Sequence, residues 1–130
     1  GADGMDELST TGVSRVVELK GGRFSSFGVH PSDAGLPAAR LSDLEGGSPK
    51  DSAIAMRDLL RGKPGPFRDI VLLNAAAAFI IAGKAASLKE GACLAAASID
   101  GGGAQKALDA LILASTDAAA AQPELAVDAK

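Results

Sequence analysis

The run Phe67-Arg68-Asp69-Ile70-Val71-Leu72-Leu73-Asn74, continued through Ala75 to Ile81, is apolar almost all round a helix. A helix of that kind is expected to be packed on nearly every side. It is not a membrane span, because the apolar stretch Ile70 to Ala82 is interrupted by Asn74 and falls short of the roughly 18 to 20 residues a bilayer crossing needs. Pro64 and Pro66 precede the run and Gly83 closes it, which sets both of its ends. Asn74 is either a buried hydrogen-bonding partner or a contact to a ligand, and its amide needs partners in both cases.

The neighbouring helices are marked by the same kind of punctuation. Ser48-Pro49-Lys50-Asp51 supplies an N-cap, a proline at the first helical position and an acid near the helix start; that helix ends near Gly62. Ser87-Leu88-Lys89-Glu90 has the form of a capping box and opens a third helix through Leu94 to about Ile99. Gly101-Gly102-Gly103 separates it from a fourth, beginning near Ala104 and carrying Leu108, Leu111 and Ile112 at helical spacing. Beyond Thr116 the alanine-rich segment from Asp117 to Lys130, with Pro123, is expected to be frayed or disordered.

Strand signals fill the part before the helices. Arg15-Val16-Val17-Glu18-Leu19-Lys20 and Arg23-Phe24-Ser25-Ser26-Phe27-Gly28-Val29 flank Gly21-Gly22 as the arms of a hairpin. Phe24 and Phe27 are three apart, so a bulge near Ser25 and Ser26 is needed to bring both rings to one face. From His30 to Gly47 the prolines and glycines indicate loop, anchored by Leu36, Leu41 and Leu44. Two strands alone are marginal in water, and further strands are expected upstream of Gly1. The elements expected are therefore a β-hairpin followed by about four helices, with residues 1–116 as one part of a larger domain and 117–130 as a tail.

Charge and cysteine content narrow the function. Thirteen basic residues are scattered among sixteen acidic ones for a net charge of -3, with no basic stripe, which argues against sequence-independent nucleic-acid binding and a polybasic membrane patch. The lone Cys93 has no disulfide partner and, within an alanine-rich stretch, is expected to be a small buried hydrophobe. No basic lead, apolar run and cleavage site opens the sequence, so the cytoplasm is the expected compartment. His30 has no cysteine or second histidine to complete a zinc site or a triad.

Chemistry concentrates in Gly4-Met5-Asp6-Glu7-Leu8-Ser9. Adjacent carboxylates in a turn can face one hard cation, and Mg²⁺ is usually held by one or two carboxylates plus substrate phosphates. A solvated turn or a helix start is the alternative for such a pair, and the residues alone leave both open. Gly4, the apolar brackets Met5 and Leu8 and the polar Ser9-Thr10-Thr11-Gly12 describe a short acidic turn at a strand end, where ligand sites in α/β sheets gather. A phosphate-binding half is missing. Gly46-Gly47-Ser48 opens a helix, but Pro49 removes a donor and Glu45 adds repulsion, so it is expected to be a structural cap. Ala82-Gly83-Lys84-Ala85 lacks the earlier glycine and the following Ser or Thr of a Walker A loop.

Gly4 to Ser9, and above all Arg68-Asp69-Ile70-Val71-Leu72-Leu73-Asn74 with Ala75 to Ala78, resemble the anthranilate phosphoribosyltransferases of tryptophan biosynthesis. The resemblance continues through Ala82 to Ala85 and Ser87 to Gly91, includes the loop around Pro31, Gly35 and Leu36 and the opener Gly46 to Ser48, and spans Gly1 to about Leu113. It implies the C-terminal part of a nucleoside phosphorylase/phosphoribosyltransferase-type α/β domain, whose N-terminal helical domain, sheet front and Gly-Thr-Gly-Gly-Asp pyrophosphate loop are not in this chain. It implies transfer of phosphoribosyl from phosphoribosyl pyrophosphate to anthranilate, Mg²⁺ as cofactor, and a homodimer. Asp6 and Glu7 match the family's Mg²⁺-holding pair; no other residue here matches a family site motif. The chain alone is expected to be inactive. A pyrimidine nucleoside phosphorylase-like enzyme and a non-catalytic nucleic-acid-binding homologue are the alternatives.

Overall fold

The computed structural model describes residues 1–121, with side chains through Asp117. An antiparallel hairpin, β1 (Ser14–Lys20) and β2 (Arg23–Val29), is followed by two short 3-10 turns at Pro31–Ala34 and Leu41–Asp43 and by four helices. These are α1 (Pro49–Leu60), α2 (Pro66–Ile81), α3 (Leu88–Asp100) and α4 (Gly103–Ala121). The loop expected from His30 to Gly47 thus contains two single turns.

Gly21 and Gly22 turn the hairpin with φ of 57° and 76°, the positive values a two-residue connection needs. Pairing then runs from Lys20↔Arg23 to Ser14↔Val29 without a bulge. Val16 faces Phe27 and Leu19 faces Phe24, so the two phenylalanine rings lie on opposite faces of the sheet. Only the face bearing Val16 and Val29 meets the core. On the other face Val17, Leu19 and Phe24 are exposed.

The core lies where α2 and α3 pack against each other and against the end of β2. Val29, Ala34, Leu73, Ala76 and Ala92 form one buried cluster, with Leu8, Val16, Leu36 and Leu88 around it. Leu72, Ala95 and Ile99 form a second, flanked by Leu59 and Phe79. Arg68 Nη2 donates to Asp100 Oδ2 at 2.8 Å and ties the start of α2 to the end of α3.

Three expectations are corrected here. α2 is not enclosed: Leu72, Leu73 and Ala76 are buried, but Phe67 and Val71 are 40% exposed and Ile81 is 88% exposed. Its neighbours among the described residues lie mainly on one side. Its remaining apolar faces line open grooves, Ala77 and Ile80 with Val16 and Phe27 of the hairpin, and Ile70 and Val71 with Met56 and Leu108. Cys93 is exposed, because α3 turns Gly91, Ala92, Ala95 and Ile99 inward and the helical step of about 100° after Ala92 carries Cys93 outward. The box at α3 is displaced by one residue. Ser87 Oγ accepts from Glu90 N at 3.2 Å, but the Glu90 carboxylate accepts from Ala86 N.

At α1 the reciprocal cap is complete, with Ser48 Oγ accepting from Asp51 N at 3.3 Å and the Asp51 carboxylate accepting from Ser48 N at 3.1 Å. α4 continues past Asp117 to Ala121, so the expected tail is helical at its start; residues 122–130 lie outside the described residues. None of the described helices is long and apolar enough to cross a membrane.

The closest approach of α2 and α3 depends on Gly91. A Cβ there would lie 2.7 Å from Ala76 Cα and 2.8 Å from Ala76 O, distances that only a backbone shift relieves. Gly91→Ala is therefore expected to force the helices apart and destabilise the fold by about 2 kcal/mol, within the range for overpacked cores, despite alanine's better helix propensity. A urea titration checks it. An unchanged midpoint would show that the two helices adjust without cost.

Candidate functional site

Residues 1–12 have no helix or strand of their own, yet Ser9 and Thr10 are as buried as the core leucines. The segment is held from three directions. The first is α2: Asn74 Oδ1 accepts from Leu8 N at 3.0 Å and Asn74 Nδ2 donates to Leu8 O at 2.8 Å. The side-chain amide pairs with the Leu8 peptide as a strand neighbour would, and Nδ2 also donates to Ile70 O at 3.0 Å within its own helix. Of the two readings of Asn74, the structure selects the hydrogen-bonding partner.

The second direction is β1. Ser9 N donates to Ser14 Oγ at 2.8 Å, joining the segment to the first residue of that strand. The third is internal and centres on Asp3. Ser9 Oγ and Thr11 Oγ1 both donate to Asp3 Oδ2 at 2.5 Å, and Met5 N donates to Asp3 Oδ1 at 3.0 Å. The Ser9 hydroxyl, then the Thr11 hydroxyl and the Met5 amide, hold the Asp3 carboxyl well below the usual carboxylate range. Asp3 is ionised throughout the neutral range. Gly4 follows it at φ +88°, a conformation costly for other residues, and lets the chain turn sharply into the acidic pair.

Asp6 and Glu7 lie between these anchors and are exposed. Among the described residues neither carboxylate takes part in a hydrogen bond or an ion pair. They are available to an external cation. No group of three or more His, Cys, Asp or Glu side chains that could hold a metal occurs among the described residues, so the pair does not form a closed cage. Two free carboxylates on a fixed turn fit a hard cation whose remaining ligands are water and phosphate oxygens.

The other candidates have structural roles. His30 caps the Pro31–Ala34 turn, its Nδ1 accepting from Ser32 N at 3.3 Å. Gly46-Gly47-Ser48 leads into the capped start of α1. Gly83 and Lys84 end α2, with Lys84 N donating to Phe79 O at 2.8 Å, so carbonyls rather than free amides gather at that helix end, the wrong polarity for a phosphate. Asp3 is the one residue of the segment the motif reading passed over. Its signal was an acid within reach of Ser9 and Thr11.

The fold and this loop define a class. The chain belongs to the glycosyl transferase family, matching its a/b domain over residues 1–105. Within that class it is similar to anthranilate phosphoribosyltransferases: it is 60% identical over 114 residues to that of Parvibaculum lavamentivorans, covering 88% of this chain and 33% of the relative. With that of Methylocella silvestris it is 53% identical over 118 residues, covering 91% and 34%. Among solved structures, the Thermus thermophilus anthranilate phosphoribosyltransferase superposes with a TM-score of 0.73 at 42% identity, covering 82% of this chain and 32% of that one. A Saccharomyces cerevisiae variant with Mg bound superposes at 0.75 and 29% identity, covering 84% and 32%. The chain spans about a third of the length of the curated relatives it matches.

Asn74 makes the loop's stability testable. Asn74→Ala leaves both polar groups of Leu8 without their protein partner, and a loss of about 2 kcal/mol is expected from one to three per unsatisfied buried group, discounted for partial exposure. Asn74→Asp keeps the shape but cannot donate to Leu8 O. Hydrogen exchange at the Leu8 amide should quicken in both variants, and protection equal to the unsubstituted chain would show that the loop is held without α2.

Proposed function

We propose that this chain is the C-terminal part of the catalytic α/β domain of an anthranilate phosphoribosyltransferase, in which Asp6 and Glu7 hold Mg²⁺ against phosphoribosyl pyrophosphate. The observation that carries the proposal is the exposed, unengaged carboxylate pair on a loop clasped by Asn74, a residue of the very helix that carries the family resemblance. The enzyme transfers the phosphoribosyl group to the amine of anthranilate and releases pyrophosphate, in the cytoplasm, as a step of tryptophan biosynthesis. The reading places the homodimer contact and the glycine-rich pyrophosphate loop in parts of the protein outside these 130 residues.

Displacement at the sugar carbon builds positive charge there and negative charge on the departing pyrophosphate. Bound Mg²⁺ supplies Lewis-acid neutralisation of that leaving group. The chain's own contribution is positional. Leu8 and Ser9 fix one side of the acidic turn and Asp3 the other, so the chain on both sides of the pair does not have to be ordered when substrate arrives. The net charge of -3 and the exposed acidic pair weigh against a nucleic-acid-binding homologue.

In the complete enzyme, Asp6→Asn with Glu7→Gln should raise the Mg²⁺ concentration needed for half-maximal pyrophosphate release by more than tenfold while the fold, followed by circular dichroism, is retained. Identical Mg²⁺ titrations would remove the metal assignment. The 130-residue chain by itself should release no pyrophosphate from phosphoribosyl pyrophosphate, anthranilate and Mg²⁺, and turnover by it would overturn the division of the site between this chain and the rest of the protein.

A further inference from the structure

Asp3 lies three residues before the acidic pair and is an acid of the same kind, yet its surroundings are different. Oδ2 is occupied by the Ser9 and Thr11 hydroxyls and Oδ1 by the Met5 amide, whereas Asp6 and Glu7 have no partner among the described residues. Among the described residues no trio of acidic side chains converges, so Asp3 does not join Asp6 and Glu7 in one cluster. The same network reaches further: Thr11 N donates to Ser9 Oγ at 3.0 Å, and Ser9 N is bound to Ser14 Oγ. One carboxylate thereby joins the beginning of the turn to its end and, through Ser9, to β1.

We propose that Asp3 is a positioning residue for the reaction, whose carboxylate, gripped by Ser9 and Thr11, closes the loop that presents Asp6 and Glu7 to the cation. The proposal rests on the metal reading of that pair. Groups that orient metal-holding side chains without touching the metal typically change affinity about ten- to hundredfold when removed.

The chemistry of the clamp supplies its own test. Asparagine has the shape of aspartate but offers one oxygen and one NH₂ group. With the NH₂ toward Met5 it faces an N–H donor, and with the NH₂ toward Ser9 and Thr11 it faces two hydroxyls aimed at an acceptor. Either way round, Asp3→Asn breaks one side of the clamp. Thr11→Val removes one hydroxyl at constant shape, and Thr11→Ser restores it.

In the complete enzyme, Asp3→Asn and Thr11→Val should each raise the Mg²⁺ concentration for half-maximal rate, and with it KM for phosphoribosyl pyrophosphate, by about tenfold. The value of kcat at saturating Mg²⁺ and KM for anthranilate should stay within about twofold, and Thr11→Ser should match the unsubstituted enzyme. If Asp3→Asn does not fold, Thr11→Val against Thr11→Ser decides the matter. Unshifted Mg²⁺ dependence in Asp3→Asn or Thr11→Val, or a loss as large in Thr11→Ser as in Thr11→Val, overturns the proposal. The double variant Asp6→Asn with Glu7→Gln separates the two claims. If it shifts the Mg²⁺ titration and Asp3→Asn does not, positioning alone fails. If Asp3→Asn shifts it and the double variant does not, the metal reading fails, Asp3 becomes the candidate ligand, and the proposal falls with it.

Discussion

The Asn74 amide and the Leu8 peptide exchange two hydrogen bonds across 66 residues of sequence, and the site depends on that exchange. A loop without secondary structure must find partners for its peptide groups outside any ladder, and a half-buried amide is one of the few side chains that offers a donor and an acceptor together. Placing it on α2 links the loop to the best-packed part of the fold, since Leu73 and Ala76 on either side of Asn74 are fully buried. Leu8 then has little freedom to move, because its side chain packs against the Leu73 and Val29 cluster. Whatever fixes α2, including the close contact at Gly91, also fixes the Leu8 peptide that directly follows Asp6 and Glu7.

Helix ends were legible in the sequence because their chemistry is local. Ser48 before Pro49, proline at the start of α2 and Gly83 after its end act within a turn, and the hairpin at Gly21-Gly22 is of the same kind. Asn74 was legible too, since an amide in an apolar run has to be satisfied. What failed was the reading of direction in alanine-rich helices. In α3 alanine occurs on every side, so nothing in Ala92-Cys93-Leu94-Ala95 indicates which way Cys93 faces; that is decided by Gly91 and Ala92 meeting α2. The burial expected of α2 is a different case. The apolar pattern is real, but the partners it calls for on two faces are not among the described residues.

The acidic pair itself was ambiguous for a physical reason. Asp-Glu in a turn is common, and its chemistry depends on whether neighbours neutralise it, which spacing does not reveal. Asp3 shows the difference, for it shares the loop and the charge, yet three donors already satisfy it. The family helix raised the metal reading before any geometry was known, and the geometry added the contrast between a satisfied carboxylate and two unsatisfied ones.

That contrast also explains why the pair is exposed. Two unit charges about 4 Å apart repel by roughly 1 kcal/mol in water but by about 4 kcal/mol at the effective dielectric of a protein surface, so a buried pair with no cation would strain the fold or take up a proton. In solvent, water screens the mutual repulsion of such a pair, and no internal counter-ion is needed. Next to the pair the backbone of Leu8 and Ser9 is already held, and its ordering, at about 1 to 2 kcal/mol per residue, has been met by folding. Exposure leaves the two carboxylates without partners among the described residues, and the Asn74 and Asp3 anchors hold the loop on either side of them.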